Sequence, residues 1–334
     1  MTIQEIYQLA IKLGIHNDLR GSKAVKKKLQ RANEKYQELS SDQKKEFDTE
    51  TLTNPFSDTR MFANNPQKQV KRILAGIDID TGEVMLAHEL SKDKPIDLIL
   101  SHHPIGPALA GLHEVMDLQA EVLAQYGVPI TTAESLMKIR LDEVSRSVSA
   151  ANHNRVLDSA RLLGYDMMCA HTAADNMVAT YLDKLLKKEE KNIERVVDVL
   201  KVLKQVPEYK VAMKQKAGPM LFTGTPERYA GRIAVTEVTG GTEGSKEMYE
   251  KIAQAGVGTI IGMHLGEEYK KEAEKHHLNV IIAGHMSSDS LGMNLFLDKL
   301  EKRGVEVIPC SGLIRIKRFS AKKKPTTKRK RKKK

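Results

Sequence analysis

Residues 96–104 read IDLILSHHP, and this segment is the clearest indication of the fold. Ile96–Ser101 is the most strand-like run in the chain, and Pro104, which lacks a backbone N–H, marks where the strand stops. Two adjacent histidines, His102 and His103, lie at that end. Because ligands of open parallel sheets bind beyond the carboxyl ends of the strands, the segment predicts an α/β protein with its chemistry at this point.

Two later segments repeat the pattern of a short apolar strand followed by a histidine and, four residues on, an aspartate. These pairs are His171 with Asp175 after residues 167–170, and His285 with Asp289 after residues 280–283. Zinc, iron and manganese bind such mixed nitrogen and oxygen donors, whereas softer metals prefer thiolates. The alternative is that the histidines are ordinary surface or turn residues and that the aspartates cap helix N-termini.

Taken together, the three strand ends predict a dinuclear metal centre. Since the backbone turns where a strand ends, His102 and His103 can point towards two neighbouring ions. A carboxylate from Asp175 or Asp289 that bridges the ions would hold them about 3.5–4 Å apart, and a shared water would become hydroxide near neutral pH. We therefore predict two divalent ions per chain (zinc, iron or manganese) and hydrolysis as the reaction class.

Composition limits the other classes of function. A chain of 334 residues favours two lobes, and 4% aromatic residues with no tryptophan argue against binding by base stacking. The net charge is +11, but residues 322–334 contain ten Lys or Arg and no acid, so the rest of the chain is nearly neutral. We predict that this basic tail is disordered and either increases solubility or contacts nucleic acid without sequence specificity.

Cysteine use and hydropathy indicate the compartment. Cys169 and Cys310 both lie in apolar runs, which predicts buried small residues and excludes a disulfide framework. Met1–Ile15 does not show a cationic start followed by an unbroken apolar stretch, and no run approaches the roughly 18 apolar residues of a membrane span. We expect a cytoplasmic protein that does not bind membranes.

The order of helical and strand patterns divides the chain into four parts. These are a helical extension at 1–50, a first α/β lobe with a helical insertion at 51–206, a second α/β lobe at 207–318 and the Lys/Arg-rich tail at 319–334. Strands are predicted at 72–78, 96–101, 128–131 and 167–170 in the first lobe, and at 232–238, 258–262, 279–283 and 305–310 in the second. One long helical stretch is predicted at 134–163, and residues 51–69 are interpreted as a loop. Helices between the strands favour parallel pairing, so the predicted fold class is α/β with two lobes built on mainly parallel sheets.

Three ordered motifs carry a family resemblance: LILSHHPI at 98–105, CAHTAADN at 169–176 and AGHMSSD at 283–289. Over roughly residues 54–315 the chain resembles the Nif-three-like dinuclear metal-centre family, which includes GTP cyclohydrolase type 2 homologues. The resemblance implies two α/β lobes that face each other across a metal-lined cleft, and a ring-shaped homohexamer. It also implies metal ligands at His102, His103, Asp175, His285 and Asp289, with His171 nearby.

The chain departs from the family pattern at two positions. Asp289 stands where the family usually has glutamate, and its side chain is one methylene shorter, so it is in question whether it reaches both ions. The strand ending at Gly262 continues with Met263 and His264, where the family usually has Thr-Gly-Glu. A neighbouring acid is therefore missing, and His264 is interpreted as a proton donor, a ligand or a residue that caps the turn.

Two further features have open interpretations. Gly240, Gly241 and Gly244 form a strand-to-helix loop that suits either a phosphate or, more simply, a tight turn. Asp78, at the end of the first predicted strand, either orients a ligand histidine or satisfies a turn.

The predicted function is that of a metal-dependent hydrolase in which His171 or His264 transfers protons. The family resemblance implies a small-molecule substrate, a purine nucleotide in GTP cyclohydrolase homologues. The alternative is a non-enzymatic metal-binding or interaction protein, for metal storage, delivery or a ring-shaped scaffold, with a polyanion-binding tail. A third hypothesis makes the tail primary, as a tether to nucleic acid or ribosomes.

Overall fold

The computed structural model describes residues 1–319, so the basic tail predicted at 319–334 lies outside the described residues from 320 onwards. The α-helices of the N-terminal half are α1 (Ile3–His16), α2 (Ser22–Glu38), α3 (Ser41–Glu46), α4 (Thr81–Ser91), α5 (Pro107–Ala110), α6 (Asp117–Gln125), α7 (Ile130–Ser149) and α8 (Arg155–Leu162). Those that follow are α9 (Thr172–Glu189), α10 (Val196–Leu203), α11 (Pro207–Lys214), α12 (Met248–Gln254), α13 (Glu267–Lys275) and α14 (His285–Glu301). Short 3₁₀ turns lie at Thr49–Leu52, Leu112–Val115 and Glu190–Asn192.

The strands form two sheets. They are β1 (Thr59–Phe62), β2 (Arg72–Gly76), β3 (Leu98–Ser101), β4 (Met167–Ala170), β5 (Met220–Thr223), β6 (Arg232–Glu237), β7 (Val257–Gly262), β8 (Asn279–Ile282) and β9 (Glu306–Cys310). One sheet has the order β1-β4-β3-β2-β9 and the other β5-β8-β7-β6. Only the edge pairs β1–β4 and β5–β8 are antiparallel among the described strands, which confirms the predicted α/β class with mainly parallel sheets.

Strand β9 does not lie where the sequence places it. The run 305–310 is predicted in the second lobe, but β9 pairs with β2 in the first sheet. The reason lies in α14, which starts at the second sheet and then buries Met293, Phe296 and Leu300 in the core of the first sheet. The chain therefore crosses back before its last strand begins, while the proposed domain boundaries themselves stay a prediction.

Two local predictions in the first lobe are also wrong. No strand forms at 128–131, because Pro129 is at the N-cap of α7 and Ile130 begins that helix. The single helix expected over 134–163 is interrupted, and α7 and α8 are separated by residues 150–154. Antiparallel strand β1, in contrast, lies in a segment that was interpreted as a loop.

Helix α1 packs into the main core instead of lying beside it. Ile3, Ile6 and Ala10 are buried in the cluster that also contains residues of β2, β3, α9 and α14. Gly14 lies so close to α9 that a Cβ there would be 2.8 Å from the Ala173 Cα. The helical extension thus forms part of the support of α9.

Helices α9 and α14 pack directly against each other. A Cβ at Gly292 of α14 would lie 2.6 Å from the carbonyl oxygen of Ala174 and 2.9 Å from Val178 Cγ2, both on α9. Close contact at a glycine fixes the distance between the two helices. Within residues 1–319, no helix combines the length and the apolar character that crossing a bilayer requires.

Candidate metal centre

The carboxyl ends of β3, β4 and β8 converge and bring the predicted ligands together. Their donor atoms form three overlapping groups in which all atoms lie within 4.8 Å of one another: His102, His103 and His171; His103, His285 and Asp289; and His102, Asp175 and Asp289. Strands β3 and β4 belong to one sheet and β8 to the other. The cluster therefore lies between the two sheets, as the pattern of strand ends predicts.

Local structure explains why the two members of each histidine–aspartate pair lie on the same side of the site. His171 is at the N-cap of α9 and Asp175 lies in the first turn, while His285 is the first residue of α14 and Asp289 follows one turn later. Helical residues four apart lie on the same face. The N-cap positions are taken by His171 and Gly284, so neither aspartate is an N-cap.

Each of three imidazoles is oriented by an acceptor at Nδ1. The acceptors are the carbonyl oxygen of Ala170 for His102 (3.0 Å), Asp78 Oδ1 for His103 (2.6 Å) and Asp58 Oδ2 for His171 (2.8 Å). Because these oxygens can only accept, Nδ1 carries a proton, and in the neutral form of each ring Nε2 has a free lone pair. A second partner of this kind is what orients histidine ligands in metal sites.

Asp289 lies between His102 on one side and the pair His103 and His285 on the other. Its Oδ1 is 3.5 Å from His102 Nε2, whereas its Oδ2 is 3.5 Å from both His103 Nε2 and His285 Nε2. Asp175 Oδ1 lies 3.4 Å from His102 Nε2. Although it is shorter than the glutamate usual in the family, Asp289 thus presents one oxygen to His102 and the other to His103 and His285.

Several of these donor atoms are buried without a hydrogen-bond partner among the described residues. They are His102 Nε2, Asp175 Oδ1 and both carboxylate oxygens of Asp289. A buried polar atom without a partner costs about 1–3 kcal/mol, and more if it is charged. Four such atoms that face one another fit a cation in their midst, and the donor set suits zinc, iron or manganese.

The electrostatics of the histidines differ across the site. Burial lowers the pKa of His102, and burial with the nearby imidazole of His264 lowers the pKa of His285 to about 4, so both imidazoles are neutral at pH 7. Burial also acts to lower the pKa of His103, but Asp289 and Asp78 outweigh it and raise that pKa to about 9.

The pKa values of Asp175 and Asp289 are shifted in opposite directions. Burial and the charges of Asp289 and Asp58 raise the pKa of Asp175 well above its usual range. Burial acts to raise the pKa of Asp289 as well, but His102 and His103 lower it. Without a metal, protons on Asp175 and His103 balance the charge of the cluster, and metal binding would displace such protons.

The fold resembles that of a protein of known structure. The crystal structure of a NIF3 superfamily protein from Sphaerobacter thermophilus matches 77% of this chain and 92% of its own, with 29% sequence identity and a TM-score of 0.70. This likeness supports the assignment of the chain to the NIF3 superfamily. The family predicted from the three motifs is thereby confirmed.

Other comparisons are more distant. Reduced HcgD from Methanocaldococcus jannaschii has 15% identity and a TM-score of 0.49, covering 80% of this chain and 94% of its own. A Thermus thermophilus protein has 15% identity and a TM-score of 0.43, covering 76% and 89%. No family model and no curated protein matches the sequence.

Sequence reasoning missed Asp58, a partner of His171 in this site. Its carboxylate is fully buried and accepts hydrogen bonds from His171 Nδ1 and from the Thr172 hydroxyl at 2.6 Å. The register of β1, in which Thr59 pairs with Ala170, places Asp58 next to His171. Asp78, in contrast, contacts His103, which agrees with one of the two interpretations given for it from the sequence.

Because His171 belongs to one of the three donor groups, replacing its partner Asp58 with asparagine is expected to weaken metal binding about 10- to 100-fold, the usual effect of losing the partner of a metal-site histidine. The amide keeps the size of the carboxylate but loses its charge, so it holds the His171 Nδ1 proton less strongly. Competition with a chelating dye measures the affinity. Asp166→Asn is the matched control, since Asp166 is a buried aspartate that accepts from Lys68 and a backbone N–H instead. Equal affinity in the two variants would contradict the role of Asp58.

His264, predicted as a catalytic residue, lines the same cleft as His285 and Asp289. Its nitrogens belong to none of the three donor groups, and its ring centroid is 5.2 Å from that of His285. The acid that is missing from its own strand is supplied by another segment, since Glu243 Oε1 lies 3.1 Å from His264 Nδ1. Gly240 and Gly241 have φ of +85° and +91°, as a tight turn requires.

Proposed function

We propose that this NIF3-superfamily protein is a hydrolase that depends on two divalent metal ions. The observation that carries the proposal is the set of buried donor atoms without partners at His102, Asp175 and Asp289. Ions held there would act as Lewis acids and lower the pKa of a bound water. Zinc, iron and manganese are the proposed metals because the donors are imidazoles and carboxylates.

The geometry suggests how the ligands divide. One ion would be held by His102, Asp175 and Asp289, and the other by His103, His285 and Asp289, which correspond to two of the three groups of neighbouring donors. Asp289 is the proposed shared ligand because it offers a different oxygen to each group.

Two histidines are the proposed proton-transfer residues. His171 and His264 line the same narrow cleft as Asp175, His285 and Asp289. His171 Nε2 is 3.7 Å from Asp175 Oδ2, so it is close enough to contact an ion as well. A histidine with an oriented ring and access to the cleft can give or take a proton from a bound substrate.

The proposed substrate is a small molecule of the GTP cyclohydrolase type 2 kind, and this part rests on the family resemblance. Among the described residues that line the cleft there is no Lys or Arg, while Glu237, Thr239 and Thr242 add carboxylate and hydroxyl groups. Phosphates of a nucleotide would therefore contact the ions, and the carboxylates would accept from N–H groups of a base.

We also propose the remaining partners that the sequence predicts. The resemblance implies self-assembly into a homohexamer, which light scattering tests through a mass six times that of one chain. Contact of the basic tail with nucleic acid would appear as binding that is lost when residues 322–334 are removed and that weakens with salt.

The function is tested by elemental analysis together with turnover on a nucleotide panel that includes GTP. We expect about two metal ions per chain and release of a ring-opened product or phosphate. Both should be lost in the His102→Ala/His285→Ala variant, because each replacement removes a ligand of a different group.

The His276→Ala/His277→Ala variant is the matched control, since both histidines lie at the end of α13, outside the donor groups. Metal without turnover on any substrate would favour the metal-binding alternative. A protein that binds no metal even after reloading would contradict the dinuclear centre altogether.

A further inference from the structure

The glycine-containing loop 240–244, which follows β6, is held by side chains from three helices. The Gln119 amide donates to the carbonyl oxygens of Gly240 (2.8 Å) and Thr242 (2.7 Å), Arg140 Nε donates to that of Glu243 (3.0 Å), and the Tyr269 hydroxyl donates to that of Gly244 (3.0 Å). Surface loops are usually the more mobile parts of a fold. Here four side-chain hydrogen bonds fix the backbone of one short loop.

The side chain that this loop presents is Glu243. Its Oε1 accepts a hydrogen bond from the Gly266 N–H at 3.2 Å and lies 3.1 Å from His264 Nδ1. Glu243 therefore contacts the segment that carries His264 at two points, one on the backbone and one on the imidazole. The second contact is within ion-pair distance but does not have the geometry of a hydrogen bond. His264 Nδ1 is buried and has no hydrogen-bond partner among the described residues.

The imidazole of His264 separates Glu243 from the cleft. His264 lines the cleft together with His285 and Asp289, and its Nδ1 faces Glu243. Nε2 is at the other end of the ring and makes no hydrogen bond to any residue in the described part of the chain. Because His264 is in none of the donor groups, this nitrogen is available to a molecule in the cleft.

We infer that Glu243 is a positioning residue that holds the His264 imidazole with Nε2 directed at the substrate. This inference rests on the proposed hydrolase function. The Glu243 carboxylate, 3.1 Å away, favours a proton on Nδ1 and restrains the rotation of the ring, so that Nε2 meets the substrate in one orientation. The fixed loop supplies the rigidity that such positioning needs.

The test compares Glu243→Gln with Glu243→Leu in the metal-loaded protein. Glutamine keeps an oxygen that can accept from Nδ1, whereas leucine has a similar size and no acceptor. Nitrogen NMR of labelled histidine reports which ring nitrogen of His264 carries the proton. We expect mainly Nδ1–H in the native chain and in Glu243→Gln, and a mixture of tautomers in Glu243→Leu.

In turnover, kcat should fall about 10- to 100-fold in Glu243→Leu and less in Glu243→Gln, because misplacing a reacting group costs rate more than binding. Metal content should stay at the native level in both. Glu267→Gln is the matched control, an exposed glutamate three residues after His264 that should change neither readout.

The outcomes separate this inference from the proposed function. An unchanged His264 tautomer in Glu243→Leu, or equal kcat in the leucine and glutamine variants, would overturn the positioning role even if the protein is a hydrolase. If no substrate turns over but the tautomer still depends on Glu243, the positioning role stands and the hydrolase proposal fails. Loss of metal in Glu243→Leu would contradict positioning and indicate a structural role in the centre.

Discussion

Replacing Asp289 with alanine is expected to lower the bound metal from about two ions per chain to less than about one. The reason is that, among the described residues, only Asp289 belongs to both proposed ion sites. One of its oxygens faces His102, and the other faces His103 and His285. Metal stabilises a protein that binds it only when folded, by about 2.7 kcal/mol at 100-fold excess over Kd. Elemental analysis gives the metal content, and thermal unfolding with and without chelator gives the stabilisation, which the variant should lose.

Two further variants sharpen this test. Asp175→Ala removes two oxygens, one 3.4 Å from His102 Nε2 and the other 3.7 Å from His171 Nε2, so the ion held without Asp175 should be retained, about one per chain. Asp289→Glu introduces the residue that is usual in the family and should keep both ions. Asp142→Ala, which removes a surface carboxylate paired with Lys138, is the control and should bind as the native chain does. Two ions retained in Asp289→Ala would contradict the shared role of this residue.

The ligand cluster could be predicted from sequence because local rules determine it. A histidine at a strand end and an aspartate four residues later lie on one helical face, whatever the rest of the chain does. Parallel strands align their carboxyl ends, so His102 and His171 must lie at the same edge once β3 and β4 pair. These two rules suffice to bring the members of the first sheet together.

The partners of the ligands could not be predicted because they arrive through long-range pairing. Asp58 reaches His171 only because β1, a strand of four residues, pairs antiparallel with β4. Glu243 reaches His264 because its loop is fixed by helices far away in the sequence. Neither residue has a motif, and a strand of four residues is too short to show alternation.

The position of β9 shows the same limit on a larger scale. Regular alternation of strands and helices predicts that the last strand joins the second sheet, since consecutive elements usually lie side by side. Helix α14 has apolar residues for both cores, with Leu291 in one and Phe296 in the other. Hydropathy reports that such a helix is buried, but not which sheet buries each part, so the crossing became visible only in the structure.

Because α14 packs against α9, the contact between these two helices determines how far apart the two carboxylates of the site lie. Asp175 lies on α9 and Asp289 on α14, so the spacing of the two helices sets the spacing of the ligands. Gly292 lies in that contact, three residues after Asp289. A larger residue there has to push the helices apart or distort the backbone.

Gly292→Ala is therefore expected to destabilise the protein by about 1–3 kcal/mol, the usual cost of overpacking, and to reduce metal occupancy as well. The added Cβ would lie 2.6 Å from the Ala174 carbonyl oxygen, which belongs to the backbone of α9 and cannot rotate away. Gly82→Ala is the matched control, because it also adds a methyl group within a helix but nothing lies within 4 Å of the new Cβ. Exchanging glycine for alanine in a helix normally stabilises by up to about 1 kcal/mol, so the two variants should change stability in opposite directions. Denaturant unfolding and elemental analysis measure both effects, and native metal content in a destabilised Gly292→Ala would show that helix spacing does not control the centre.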